Sequence, residues 1–420
     1  MPSRRSFLQT ASATSLALPL TTKAAKTDIL KVGLIGCGGR GTGAASQALQ
    51  ADPGARLTAM GDMFEDRLQK SHDSLRALPE VKDKVTVTKE KRFVGWDAYQ
   101  QVIDSGVDIV LLTTPPHFRP AHLRAAIEAG KHVFAEKPVA VDVPGVRSVL
   151  ETCRLAKQKN LSVVSGLCLR YGYGFQEIMR RIHNGEIGDV HTLYANDYRG
   201  GIWYKERQPD WTEMHYQMRN WYYYTWLSGD FNVEQHVHYL DICAWAKGAY
   251  PVKAIGIGGR QVRNDPKYGN IFDHHSVTYE FADGTRLVSN TRQIPGCKSE
   301  MSAQVYGSLG KANINERKRG IYLEKPGQER WTYSGESNHF YQTEHDEMFA
   351  AIRAGKPINN GEYMAQSTLL AILGRMATYT GQLVTWEQAL HSKEDLTPAK
   401  YAWGDAPEAT IAVPGVTKFV

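Results

Sequence analysis

Between Lys31 and about Gly166 the hydrophobic positions gather into short apolar runs: Val32–Ile35, Leu57–Met60, Ile109–Thr113, His132–Ala135 and Ser162–Ser165. Runs this continuous suit strands buried on both faces. Between them lie stretches with helix-compatible patterning, among them Thr42–Gln50, Asp97–Ser105, Pro120–Ala129 and Val146–Lys159. Strands alternating with helices predict an α/β domain over residues 28–167, built on a doubly wound parallel sheet. Ligands of such sheets bind beyond the carboxyl ends of the strands.

After Gly166 the pattern changes. Phe175–Asn184 reads as a helix, Val190–Tyr198 as a strand and Val233–Trp245 as a second helix. Residues 200–228 are dense in aromatics. Period-2 stretches follow at Val252–Gly258, Ser276–Phe281, Thr285–Thr291, Ala303–Gly307 and Gly320–Glu324, with a hairpin signal at Ala282-Asp283-Gly284-Thr285. Helices over Thr343–Ala354 and Glu362–Tyr379 close the pattern. Residues 168–385 are therefore expected to form an α+β domain with a large, mostly antiparallel open sheet. Residues 386–420 read as a tail, loose from Pro398 onward.

Composition narrows the classes. The chain has 420 residues, 42% of them hydrophobic, enough for two cores. The net charge of +6 is modest, and no Lys/Arg block interleaved with aromatics suggests nucleic acid. The five cysteines, Cys37, Cys153, Cys168, Cys243 and Cys297, form no C-x-x-C pair, so no structural metal is expected. Arg4-Arg5 before Phe7-Leu8, then the weak apolar run Thr10–Leu20, reads as a twin-arginine export signal over residues 1–25. That run is too short to span a membrane. The expectation is a periplasmic protein exported already folded. Such a protein has to keep any dinucleotide and restore its redox state within each cycle.

Chemistry is concentrated in a few places. Gly36, Gly38 and Gly41 form G-x-G-x-x-G between the first strand and the first helix, in the stretch Gly36-Cys37-Gly38-Gly39-Arg40-Gly41. That context predicts dinucleotide binding, with the pyrophosphate at the helix N-terminus. About twenty residues on, Asp62 ends the second strand, where an acid accepts hydrogen bonds from a ribose 2′-OH; NAD is expected in preference to NADP. Two further strand ends, Thr114-Pro115-Pro116-His117 and Glu136-Lys137-Pro138, belong near the nicotinamide. Lys137 is a candidate to take a hydroxyl proton or stabilise an oxyanion. Glu234 and His238 stand four apart on the expected helix, a spacing that suits a carboxylate orienting an imidazole, with Asp241 one turn on. The same spacing suits a metal half-site, but no second half is evident. The aromatic block suits sugar stacking or a subunit interface. Arg170, Tyr171, Arg199, Trp221 and His274 are the candidates for lining a substrate pocket.

The glycine-rich turn, Gly130 to Pro138 with its Glu-Lys-Pro, Glu234 to Asp241 and Gly307-Ser308-Leu309-Gly310-Lys311 resemble the Gfo/Idh/MocA oxidoreductases over roughly residues 30–390. The resemblance implies an N-terminal Rossmann domain and a C-terminal domain whose open sheet covers the cofactor and helps form homo-oligomers, dimers or tetramers. It places the catalytic lysine on Lys137, and the acid and histidine on Glu234 and His238; the common acid there is aspartate, so glutamate is a departure. Substrates in the family are mostly sugars, sugar acids and inositols. Three functions are weighed. One is an exported sugar oxidoreductase with tightly bound NAD. Another is a redox-neutral glycosidase or lyase working through a transient 3-keto sugar; its hydrolytic branch lacks the Glu-Lys-Pro lysine, so Lys137 favours the first. The third, a non-catalytic sugar- or NAD-binding protein, fits poorly with Lys137 beside a Glu/His pair.

Overall fold

The computed structural model describes residues 28–317 and 319–418. The expected export signal lies outside the described residues. Six strands, β1 (Leu30–Ile35), β2 (Ala55–Asp62), β3 (Arg92–Val94), β4 (Ile109–Leu112), β5 (His132–Ala135) and β6 (Val163–Ser165), form one parallel sheet in the order β3-β2-β1-β4-β5-β6. Successive side chains of a strand point to opposite faces, and the two faces feed different cores. Leu34, Leu57, Leu111 and Phe134 pack with Ala44, Leu49 and Leu68 of the helices Gly39–Ala51 and Glu65–Ala77. Ile35, Val110, Leu112 and Val133 pack with Leu123, Ile127 and Val146 of the helices Arg119–Glu128 and Val143–Gln158. The expected doubly wound sheet is thus present, and its strand order reverses between β1 and β4.

Nine further strands form the second sheet: β7 (Val190–Arg199), β8 (Lys253–Gly259), β9 (His274–Glu280), β10 (Arg286–Gln293), β11 (Glu300–Gly307), β12 (Gly310–Ile314), β13 (Tyr322–Glu324), β14 (Trp331–Thr332) and β15 (Val384–Thr385). Their order is β14-β13-β12-β11-β7-β10-β9-β8-β15, antiparallel except for the β7–β10 pair. The hairpin between β9 and β10 turns at Gly284, whose φ is +84°. The helices Val237–Lys247 and Gly361–Thr380 cover one face. The other is open, with Ile257 75% exposed beside Ile255.

Three expectations change. The helix expected over Val233–Trp245 is two pieces, Phe231–Glu234 and Val237–Lys247. The N–H of His236 reaches back five residues to the Phe231 carbonyl (3.1 Å), which widens the winding at the join. The helix Phe340–Arg353 belongs to the first core rather than the second: Met348 and Phe349 pack there, and Arg353 holds Asp52 with two bonds of 2.8 Å. The tail is not loose. Tyr401 and Trp403 pack on Trp96, Tyr401 on Phe118, and Trp403 on Phe64.

Candidate functional site

A cavity of about 490 Å³ opens where the strand order reverses, at the carboxyl ends of β1, β2 and β4. Gly36 leaves β1 with φ +97°, and a Cβ there would meet the Thr113 and Thr114 backbone at 2.6 Å. A Cβ on Gly41 would stand 1.9 Å from the Gly36 carbonyl oxygen, so only glycine lets the helix approach the turn. Around Gly39 there is open space, and the helix Gly39–Ala51 begins with no side-chain cap and no acid in its first turn. Its first N–H groups are free for an anion. Thr114 Oγ1, buried in this wall, has no partner. The cradle and the unpartnered hydroxyl fit a dinucleotide. Of the residues singled out for cofactor binding, Gly36, Gly38, Gly39, Arg40, Gly41, Asp62, Thr114 and Pro115 line the cavity.

Asp62 is engaged by the backbone on both sides of the turn. Its Oδ2 accepts the Cys37 N–H (2.6 Å) and its Oδ1 the Phe64 N–H (2.9 Å), so it staples the glycine turn to the end of β2. Burial raises its carboxyl pKa. Burial also raises the Cys37 thiol well above its ordinary range, which makes it a packing residue. Arg40 shows only its edge to the cavity: Nε pairs with Glu136 Oε1 at 2.9 Å, and Nη2 bonds Gln47. Glu136, buried, also accepts the Lys137 N–H (3.1 Å).

Lys137 stands two residues past Ala135, and Thr114 two past Leu112. Ala135 and Leu112 are register partners on β5 and β4, so the two strand ends lie side by side. Arg119 braces the junction by donating to the Thr114 and Pro138 carbonyls, each at 2.7 Å. The Lys137 Nζ donates to the Glu234 carboxylate (3.0 Å) and to the Glu234 carbonyl (2.6 Å). A third N–H remains. Here the expected pairing is corrected: because the helix is broken after Glu234, its carboxylate holds Lys137, not His238. The His238 pKa falls well below its ordinary value through burial, then through the charges of Lys137 and Arg199. The ring is therefore neutral at pH 7. Its Nδ1 is buried without a partner. Arg199, at the end of β7, pairs with buried Asp197 (2.5 Å) on the same side.

Other candidates lie elsewhere. Arg170 grips Asp241 with two bonds of 2.8 Å and stacks on Tyr363, away from the cavity. The Tyr171 hydroxyl is spent on Asn360 (2.9 Å). His274 is on the sheet's open side, 41% exposed and paired with Asp273 (2.7 Å). His117 is buried against Trp226, bonds the Tyr401 hydroxyl (2.7 Å) and is pushed down to about 4 by burial. It does not line the cavity. Trp221 does, but from above, with Trp203, Lys205 and Met218 of the aromatic block. Phe64, Arg67, Trp96 and Tyr99 also line it and were not singled out in the sequence. Their position just after β2 and β3 was the available signal. Lys137, Glu234 and His238 are outside this cavity's lining, beyond its Thr114 end. Among the described residues no cluster of His, Cys, Asp or Glu could hold a metal, and no helix is long and apolar enough to cross a membrane.

Comparison with known proteins adds to this geometry. Residues 30–165 match the family described as GFO_IDH_MocA, "Oxidoreductase family, NAD-binding Rossmann fold", and residues 175–313 match the "GFO/IDH/MocA C-terminal domain". The chain is 26% identical over 255 residues to an uncharacterized oxidoreductase of Streptococcus pneumoniae (61% of this chain, 60% of the relative). It is 25% identical over 199 residues to a 2,7-anhydro-N-acetylneuraminate hydratase of Escherichia coli (47% and 49%). It is 24% identical over 282 residues to a myo-inositol 2-dehydrogenase of Thermotoga maritima (67% and 74%). The first two similarities thus span 60% and 49% of those relatives' length. The fold is shared with an aldose-aldose oxidoreductase of Caulobacter crescentus solved with glycerol (TM-score 0.66, 18% identity, 85% of this chain and 99% of that one). It is also shared with a scyllo-inositol dehydrogenase of Lactobacillus casei solved with NAD(H) and scyllo-inositol (TM-score 0.63, 17% identity, 86% and 100%).

Proposed function

We propose a function for this chain from one premise: it belongs to the Gfo/Idh/MocA oxidoreductases. It oxidises a secondary alcohol of a sugar or cyclic polyol. A nicotinamide dinucleotide in the glycine-lined cavity supplies the hydride acceptor. The observation that carries this reading is the Lys137 ammonium, oriented by two bonds to Glu234 with one N–H left, at the strand end beside Thr114. That third N–H meets the substrate oxygen and stabilises the negative charge growing there as the hydride departs. His238, neutral at pH 7, takes the hydroxyl proton. The two cations whose charges act on His238 each have a carboxylate, Lys137 with Glu234 and Arg199 with Asp197. The balance favours an uncharged polyol. The likeness to a myo-inositol 2-dehydrogenase supports the same substrate class.

A second reading is supported by the likeness to a hydratase. Transient oxidation acidifies the neighbouring C–H, a substituent is eliminated, and the hydride returns to the same carbon. The twin-arginine stretch at Arg4-Arg5 supports export to the periplasm with NAD held through each cycle. The open sheet face, bearing Ile255 and Ile257, supports a homo-oligomer. The test is absorbance in the reduced-nicotinamide band while purified protein is titrated with inositols, free sugars and aryl glycosides. A lasting rise with a polyol establishes net oxidation. Aryl release without a lasting rise establishes the redox-neutral route. Neither response with any of them overturns both.

A further inference from the structure

Asp230 holds a backbone shape that belongs to glycine. Its φ is +77° and its ψ +156°, a region that glycine enters freely and a Cβ disfavours. It follows Gly229, whose φ is also positive, and stands immediately before the short helix Phe231–Glu234. A residue that caps a helix from its side chain ordinarily does so from extended backbone with a negative φ. Strain of this kind persists only where the surroundings over-determine it. Here they do. Oδ1 accepts the Asn232 N–H (3.2 Å) and meets His275 Nε2 at 3.1 Å. Oδ2 accepts the Phe272 N–H (2.9 Å) and the Tyr379 hydroxyl (2.6 Å). Asp230, Asn232, Phe272, His275 and Tyr379 are all buried. The carboxylate therefore ties the start of the turn to β9 and to the last turn of the helix Gly361–Thr380.

The backbone of the same residue carries the tie onward. The Asp230 carbonyl accepts the N–H groups of Val233 (3.0 Å) and Glu234 (2.8 Å). Glu234 in turn receives the Lys137 ammonium on its carboxylate and on its own carbonyl. Each Asp230 oxygen already has two partners, so the carboxylate has nothing left for a ligand. Its place is behind the chemistry. We propose that Asp230 is a positioning residue for the reaction: it clamps the turn Phe231–Glu234, sets where Glu234 stands and thereby aims the remaining N–H of Lys137. The inference rests on the oxidoreductase reading above and adds to it a residue outside the cavity lining.

The experiment is a double-mutant cycle on the full chain, with saturating NAD and a polyol that the wild type oxidises. Asp230→Gly relieves the backbone and removes the clamp. Asp230→Asn keeps one oxygen, enough for the Phe272 N–H and the Tyr379 hydroxyl. In Asp230→Gly, kcat is expected to fall about tenfold to a hundredfold while KM and the NAD dissociation constant stay within about twofold, and Asp230→Asn recovers part of the loss. In a Lys137→Met background the same Asp230→Gly change is expected to lower the residual turnover by less than about twofold, because the group through which Asp230 acts is already gone. Wild-type kcat in Asp230→Gly overturns the proposal. So does a loss carried by KM or by NAD affinity, and so does an equal loss with and without Lys137. Each of these leaves the oxidoreductase reading intact, whereas a wild type that oxidises no polyol overturns both. Thermal unfolding checks the fold of each variant. Should Asp230→Gly not fold, Tyr379→Phe, which deletes one bond to the clamp, takes its place in the cycle: a severalfold fall in kcat that vanishes without Lys137 supports the proposal, and wild-type kcat overturns it.

Discussion

Two acids seven residues apart, Glu234 and Asp241, each hold a basic side chain from the first half of the chain, and they hold it differently. Asp241 takes Arg170 with both oxygens, and Oδ1 also accepts the Ser367 hydroxyl. The guanidinium is packed between Tyr363 and Trp245, at 4.0 and 4.9 Å from the ring centres. No ligand can add to that arrangement without breaking it. Glu234 takes Lys137 with one carboxylate oxygen and its own carbonyl, and one ammonium N–H is left over. Both pairs are sheltered, with side-chain exposures of 16% and 2% against 13% and 11%. Burial does not separate the site from the scaffold; an unspent donor does.

The comparison breaks most readily at Lys137. Lys137→Met is expected to lower kcat by about 10³–10⁴-fold, because it removes both the developing-charge contact and the group Glu234 orients. Cofactor affinity should be unchanged, since Lys137 is outside the cavity lining. Steady-state kinetics beside fluorescence titration check both halves. A full-activity variant would return the lysine to the scaffold. Arg170→Met is the mirror experiment. It leaves Asp241 buried without its main partner and is expected to cost about 3–5 kcal/mol of stability. Urea unfolding measures this. Turnover of the folded fraction should stay near wild type, and a selective loss of kcat instead would make Arg170 part of the site.

Acid sharpens the contrast at a smaller scale. His236, between the two acids in sequence, is held down to about 3, chiefly by burial. His122 and His345 are likewise near 3 and His117 near 4, each chiefly by burial. Their unfolded pKa is about 6.5. Below that pH the unfolded chain takes up protons that the native chain refuses, so stability falls as pH drops from 6.5 towards 4. Each histidine contributes about 1.4 kcal/mol per pH unit over that window. Urea midpoints at pH 7.5, 6.5 and 5.5 test the sign. A flat profile would mean that these rings are open to protons in the native state.

Regions where one physical rule dominates could be read from sequence. Buried parallel strands need apolar runs, so β1, β2, β4, β5 and β6 stood out, whereas β3, an edge strand reading Arg-Phe-Val, did not. The glycine turn was readable because its steric demand is local: Gly36 and Gly41 admit no side chain. Partnerships across the fold were not. Arg170 looked like a pocket residue because its partner is 71 positions away, and Glu234 was assigned to His238 because a regular helix was assumed through Gln235. The tail has no periodicity to read; Tyr401 and Trp403 are individual anchors whose pockets come from distant elements.

A third ion pair lies between the two extremes. Arg219, in the aromatic block, grips Asp66 with two bonds of 2.8 Å and lies 3.7 Å over the Phe64 ring. It joins the roof of the cavity to its floor, and Trp403 backs Phe64 from the tail side. Asp66 is 65% exposed, so the pair itself is worth at most about 1 kcal/mol. Arg219→Ala should therefore barely move the urea midpoint. Its effect should fall on cofactor exchange: the dinucleotide leaves severalfold faster when the roof is no longer pinned, while a single-turnover hydride step keeps its rate. Stopped-flow displacement of bound NADH by excess NAD reads that release directly. Equal release rates in variant and wild type would make Arg219–Asp66 a surface pair like any other and leave cofactor retention to the aromatic packing of Trp203, Trp221 and Trp96.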